Sequence, residues 1–254
     1  MPSEQQDLNW TPVHTLGETR KSRWLVVCDH ATNIIPPWLE SPTLGLPKAE
    51  LTRHIAYDIG AAGVAIRLAE HLHAPVVLSN FSRLIIDPNR GEDDPTLVRR
   101  LYDETIIPAN RNADRDEIET RLDICYRPYH ASIERMAARR ADTVIVSVHS
   151  FTPQLRHKPK RPWHVGLLFA DDARLSLPLA DLLAEDANTT VGLNEPYSGF
   201  LEGDTIDRHA LRKGRQNTLI ELRNDLIEDD LGQKVWAKRL ANLLPKALLS
   251  AEGC

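Results

Sequence analysis

The sequence predicts an α/β fold: one domain with a mostly parallel or mixed central sheet and helices on both of its faces. Three observations carry that expectation. Short apolar, β-branched runs alternate along the chain with stretches of helical periodicity. Two of those runs, Arg23 to His30 and Thr143 to Ser150, follow one pattern, with a histidine at or beside the carboxyl end. No repeat, long linker or low-complexity segment interrupts the alternation, so residues 1–254 read as one domain behind a polar extension, residues 1–21.

The elements follow in order. RWLVVCDH (Arg23 to His30) is a buried strand, and the two prolines of ATNIIPP end any regular structure after it. From Pro47 to His73 the residues Leu51, Ile55, Ile59, Leu68 and Leu72 recur at helical spacing, which predicts one long amphipathic helix with Gly60 and Gly63 as weak points. APVVLSN (Ala74 to Asn80) is a second strand and SRLIID (Ser82 to Asp87) a candidate third, before the charged loop PNRGEDDP (Pro88 to Pro95). Helix is expected around Thr96 to Thr105 and again around Arg115 to Ala141, broken there by Pro128. After the strand TVIVSVHS (Thr143 to Ser150) comes a basic, proline-containing loop, Arg156 to His164. VGLLFA (Val165 to Ala170) is a strand, LSLPLADLLAEDA a helix started near Pro178, and NEPYSG (Asn194 to Gly199) a turn. NTLIELRND (Asn217 to Asp225) is a strand that projects Glu221, and DLGQKVWAKRLANLLPKALL closes the chain as an amphipathic helix.

Composition narrows the function. With 42% hydrophobic and 26% charged residues, the 254-residue chain has enough apolar material for a sizeable core and is no disordered or fibrous sequence. Its 31 Lys and Arg against 36 Asp and Glu leave a charge of −5, so no basic surplus exists to neutralise a nucleic-acid backbone. Cys28, Cys125 and Cys254 are odd in number and far apart, which argues against a zinc CxxC pair and against a secreted disulfide framework. The first twenty residues lack the apolar core of a signal peptide, and no apolar run reaches the roughly 18 residues of a membrane span. The expectation is a cytoplasmic protein with a small-molecule partner, neither nucleic acid nor membrane. A homodimer is expected only from the frequency of symmetric association.

In open α/β sheets the ligand crevice lies beyond the carboxyl ends of the strands. Those ends here offer His30, Asn89 and Arg90, His149 and Glu221. Two imidazoles with a carboxylate suit a divalent metal, expected to be Zn2+, whose open position lowers the pKa of bound water to about 7. The third ligand is a choice. Asp58 follows His54 by four residues, on one face of the expected helix. Asn33 stands three residues after His30 but is a weaker donor, so Asp58 is preferred. Glu221 lies among Leu219, Ile220 and Leu222, and an acid in so apolar a strand is uncommon unless paired or catalytic; metal nearby would tune it as a general base. The planar fork of Arg90 can grip a carboxylate. Arg83, Arg127, Tyr129, His130, Tyr197 and His209 rank second, each being more often structural. Ser150 has no GxSxG elbow, and GxGxxG and P-loop patterns are absent.

Taken together, DHATNIIPP, HIAYDIGA, SRLIIDPNR, RPYHASIE, VSVHSFTP, NEPYSG and IELRNDLI resemble the N-formylglutamate amidohydrolase family in type and order over roughly residues 22–250. The resemblance implies hydrolysis of N-formyl-L-glutamate to formate and glutamate, a step of histidine breakdown, on a zinc carboxypeptidase-like fold. By that likeness Asn89 and Arg90 bind the substrate α-carboxylate; Arg83, Tyr197 and His130 are expected from the residues themselves as further substrate-binding groups. His30 and His149 hold metal, with Asp58 as the preferred third ligand, and Glu221 deprotonates water. Two departures mark a divergent branch: Asn33 stands where carboxypeptidases place a glutamate, and Asp29-His30-Ala31-Thr32 replaces a Pro-His-Ser-Gly or Pro-His-Ala-Gly turn. The alternatives are a carboxypeptidase or other N-acyl amino acid deacylase, and a non-catalytic binding protein on the same fold.

Overall fold

The computed structural model describes residues 10–253; residues 1–9 of the polar extension, and Cys254, lie outside the described residues. In chain order the elements are β1 (Val13–Leu16), β2 (Trp24–Cys28), α1 (Ala61–His71), β3 (Val76–Ser79), β4 (Leu101–Tyr102), β5 (Thr105–Ile106), α2 (Arg115–Arg121) and α3 (Arg127–Ala137). There follow β6 (Val144–Phe151), β7 (Val165–Leu168), α4 (Ser176–Ala184), β8 (Val191–Leu193), α5 (Thr205–His209), β9 (Asn217–Arg223) and α6 (Asp230–Glu252).

Seven strands form one sheet in the order β1-β3-β2-β6-β9-β7-β8. Its centre, β3-β2-β6-β9, is parallel; β1 joins β3 and β7 joins β9 antiparallel. The sheet is therefore mixed, and alternate residues of its strands feed two cores. Val26, Val146, Val148 and Ile220 pack beneath α1, α4 and α6, whereas Leu25, Val27, Ile145 and Leu219 pack toward α3 and the loops around Phe81 and Ile85. Both faces are covered, which is why the central strands read as continuous apolar runs. Among the described residues no helix is long and apolar enough to cross a membrane.

Several local expectations fail for identifiable reasons. The long helix over residues 47–73 shrinks to α1, because Gly60 adopts a left-handed φ of 78° at its N-cap. A Cβ there would stand 2.0 Å from the Ile227 carbonyl oxygen, so only glycine fits the approach. The run SRLIID is not a strand. Ser82 turns the chain, accepting at its carbonyl from Ile85 N–H (2.9 Å), and Leu84, Ile85 and Ile86 are buried as a loop. The stretch 96–105 is not helical but leads into the β4–β5 hairpin, whose turn residues Asp103 and Glu104 have φ of 41° and 62°. The break in the 115–141 helix is a π-turn, Leu122–Tyr126, just before Pro128, which occupies the first turn of α3. Within the polar extension, residues 13–16 form β1; β8 is a further strand that periodicity did not signal.

Candidate active site

His30 lies two residues beyond β2 and His149 lies in β6, its neighbour in the sheet, so both imidazoles come to the same carboxyl-terminal end. Their ring centroids are 5.0 Å apart. Asp58 is brought to them by hydrogen bonds to the backbone of its loop rather than by a helix. Its N–H donates to the His30 carbonyl (3.0 Å), Ser82 Oγ donates to the Ala56 carbonyl (2.8 Å), and Ser150 Oγ donates to the Ile59 carbonyl (2.8 Å). Segment 56–60 is thus stapled between the ends of two strands. Nδ1 of His30 lies 3.2 Å and Nδ1 of His149 2.9 Å from the same oxygen, Asp58 Oδ2. Ligand atoms of the three residues all lie within 4.8 Å of one another, and all three residues are buried. Asn33 is directed elsewhere, its Nδ2 donating to the Leu51 carbonyl (2.8 Å). His54 shares no helix with Asp58; it packs edge-on against Tyr102, 6.2 Å between centroids.

Each histidine faces a second carboxylate with its other nitrogen. His30 Nε2–H donates to Asp87 Oδ1 (2.7 Å) and His149 Nε2–H to Asp29 Oδ2 (2.9 Å). A neutral imidazole has one N–H. Once Nε2 has donated, the Nδ1 lone pairs of both rings point at a carboxylate oxygen, an arrangement that needs a proton or a cation between acceptors. Two imidazole nitrogens and a carboxylate, with the rings oriented by outer carboxylates, are a donor set that fits a divalent ion. Asp29 is further held by Tyr129 OH (2.9 Å), Ser147 Oγ (3.2 Å) and Thr205 Oγ1. Arg83 bridges the inner and outer acids, donating to Asp58 Oδ1 (3.3 Å) and Asp87 Oδ2 (2.7 Å).

The electrostatics follow from these pairings. Burial opposes ionisation of Asp29, Asp58 and Asp87. The His149 hydrogen bond to Asp29, the charge of His30 beside Asp58 and that of Arg83 beside Asp87 outweigh burial and hold all three well below the usual carboxylate range. Burial also disfavours a charged His149, but its hydrogen bonds to Asp29 and Asp58 raise its pKa well above the ordinary histidine value. Glu221 behaves oppositely. Register places it beside His149 across the β6–β9 pair and beside Gly166 across β7–β9. Its Oε2 is buried without a hydrogen-bond partner, and burial pushes its pKa up to about 7, Asp58 adding to the rise and His149 opposing it. Asp204 is likewise raised to about 7 by burial.

These groups open onto a cavity of about 400 Å3 lined by His30, Asp58, His149, Glu221, Arg83, Asn89, Arg90, Arg99, Tyr102 and Tyr197, among others. The Asn89–Arg90 loop is anchored from beneath: His130 Nε2–H donates to the Pro88 carbonyl (3.0 Å) and Tyr126 OH to the Arg90 carbonyl (2.6 Å). His130, expected to touch substrate, instead lies outside the cavity lining, its Nδ1 2.9 Å from His209 Nε2. Arg83, also expected to touch substrate, commits both terminal nitrogens to Asp58 and Asp87. Tyr197 stands at the mouth, 38% exposed, its hydroxyl accepting from Arg161 (3.2 Å). Arg127 is drawn to surface acids including Glu92, and Tyr129 lies in the core bound to Asp29. Sequence reasoning missed Asp29 and Asp87 as partners of the histidines, although both stand inside the motifs DHATN and IIDPNR, and it missed Arg99 and Tyr102 altogether.

A family model described as N-formylglutamate amidohydrolase matches residues 22–228. Among solved structures, a gene product of Agrobacterium tumefaciens superposes with a TM-score of 0.90 at 36% identity, over 96% of this chain and 97% of that one. The N-formylglutamate amidohydrolase of Ralstonia eutropha superposes with a TM-score of 0.71 at 20% identity, over 96% of this chain and 100% of that one, a likeness of fold. None of the curated proteins compared with the chain matches it.

Proposed function

Because the chain belongs to the N-formylglutamate amidohydrolase family, hydrolases acting on carbon–nitrogen bonds, we propose that it is a zinc-dependent amidohydrolase for N-acylated, carboxylate-bearing amino acids. Its leading substrate is N-formyl-L-glutamate, cleaved to formate and L-glutamate. The observation that carries this reading is the convergence of His30 Nδ1 and His149 Nδ1 on Asp58 Oδ2, with the unpartnered Glu221 carboxyl in the same cavity.

His30, Asp58 and His149 would hold the zinc, which when bound supplies Lewis-acid polarisation and makes water more acidic. Asp29 and Asp87 fix the orientation of the two rings through their Nε2 atoms. Arg90 and Asn89, on the loop anchored by His130 and Tyr126, bind the substrate α-carboxylate and so orient the amide. Glu221, its Oε2 buried on the cavity without a hydrogen-bond partner, accepts the proton of the attacking water and returns it to the departing amine nitrogen.

Formate release by the wild type and by Glu221→Gln, each with its zinc content measured, tests the reading. The amide keeps the shape but cannot serve as base, so turnover is expected to fall about 10²- to 10⁴-fold with zinc content unchanged. Full activity in the variant refutes the role. A panel of N-acyl amino acids separates formylglutamate hydrolysis from a broader deacylase.

A further inference from the structure

We propose that Arg99, seated on the face of Tyr102 with His54 against the same ring, is the specificity-determining residue that grips the second carboxylate of the dicarboxylic substrate. The proposal rests on the reading of the cavity as an amidohydrolase site and adds the side of the substrate that the reacting groups do not touch.

Arg99 leads into the β4–β5 hairpin and lines the same cavity as His30, Asp58 and Glu221. Its guanidinium carbon stands 4.6 Å from the Tyr102 ring centroid, and Arg83 shares that ring at 5.4 Å. The aromatic face fixes the position of the guanidinium plane without consuming its N–H donors. Arg99 Nε is buried and has no hydrogen-bond partner. Among the described residues its nearest carboxylate is Asp87, 3.7 Å away, too far for a hydrogen bond. Asp87 is already taken up by His30 and Arg83 at 2.7 Å each and by the Asn89 N–H at 3.0 Å.

Arg99 therefore brings a positive charge to the cavity wall that no hydrogen-bonded acid of the described residues neutralises. Burial weighs against that charge; Asp87 relieves it in part, and Arg83 and Arg90 add repulsion. An incoming anion would remove the imbalance. His54 Nε2, against the same tyrosine, is buried without a hydrogen-bond partner, with the Asp103 carboxylate 3.5 Å away. Arg90 is a separate cation on the cavity, tied to its own loop through Thr96 Oγ1 (3.1 Å) and the Asn89 carbonyl (2.6 Å). One carboxylate needs one such group. Two guanidiniums around one small cavity, besides the Arg83 already engaged with acids, match a substrate with two.

The test is calorimetric titration of the wild type, Arg99→Met and Arg99→Lys with L-glutamate and with L-glutamine, its neutral isostere; binding of these needs no turnover. The wild type is expected to bind L-glutamate roughly tenfold to a hundredfold more tightly than L-glutamine, the worth of a charge-assisted hydrogen bond. Arg99→Met should lose that preference, and Arg99→Lys should keep part of it. The proposal is overturned by a wild type that binds both alike, which decides the matter even should a variant not fold. It is equally overturned by an Arg99→Met protein that keeps the preference, or that loses both ligands equally. A wild type that prefers L-glutamate but releases no formate from N-formyl-L-glutamate supports the subsite and refutes the hydrolytic reading alone.

Discussion

Asp87→Asn removes one charge behind the candidate metal site while keeping the shape of the side chain. Asp87 is fully buried; Oδ1 accepts from His30 Nε2–H and the Asn89 N–H, and Oδ2 accepts from Arg83. With its oxygen toward His30, an asparagine turns its NH2 on the Arg83 donors; flipped, it turns the NH2 on His30. Either way a buried donor loses its acceptor and Arg83 loses one of its two carboxylates. Breaking a buried pair costs about 3–5 kcal/mol. At roughly 2–4 °C per kcal/mol for a chain of this size, the metal-free variant should melt about 6–20 °C below the wild type. Loss of the carboxylate charge behind His30, whichever way the amide turns, should also weaken zinc binding about 10- to 100-fold. Thermal unfolding followed by circular dichroism and a competitive zinc titration measure the two effects. Unchanged melting and unchanged affinity would refute the reasoning, and a lower melting temperature with full affinity would confine Asp87 to stability.

Two further outcomes follow from the same geometry. In metal-free protein the Glu221 carboxyl titrates at about 7 rather than at its ordinary 4.5, so folding favours its protonated form. That stabilisation is fully present below about pH 4.5 and is lost as pH rises through 7. Wild type should lose about 3 kcal/mol relative to Glu221→Gln across that window by denaturant unfolding, and a difference of opposite sign contradicts the burial argument. Asn33→Ala should leave zinc affinity within about threefold of wild type and Asp58→Ala should lower it at least 100-fold, since removing a ligand should cost no less than removing the group behind one; the reverse ranking would restore Asn33 as the ligand.

His30, His149 and Glu221 were legible because strand ends and strand interiors leave a signature. Parallel register then places His149 and Glu221 side by side, as β6 and β9 show. Asp58 was named on a wrong local premise, since helical spacing with His54 suggested a shared face where the chain is a loop held to His30 and Ser150. The roles of Asp29 and Asp87 depend on which nitrogen of each ring faces inward, a tertiary property that no spacing encodes. Arg83 and His130 were polar residues in suggestive motifs, yet one is locked between two acids and the other supports the Pro88 carbonyl. Arg99 and Tyr102 escaped notice because 96–105 has helical composition and the hairpin turn uses Asp103 and Glu104 without the Asn-Gly or Asp-Gly pair that announces such turns. The strand β1 was hidden by its half-exposed, polar setting.

A zinc-edge anomalous difference map from crystals of zinc-loaded protein tests the metal-centred reading most directly. One strong peak about 2.0–2.2 Å from Nδ1 of His30, Nδ1 of His149 and a carboxylate oxygen of Asp58 is the expected result. Zinc bound away from these three residues, or through Nε2 of either histidine, would contradict it.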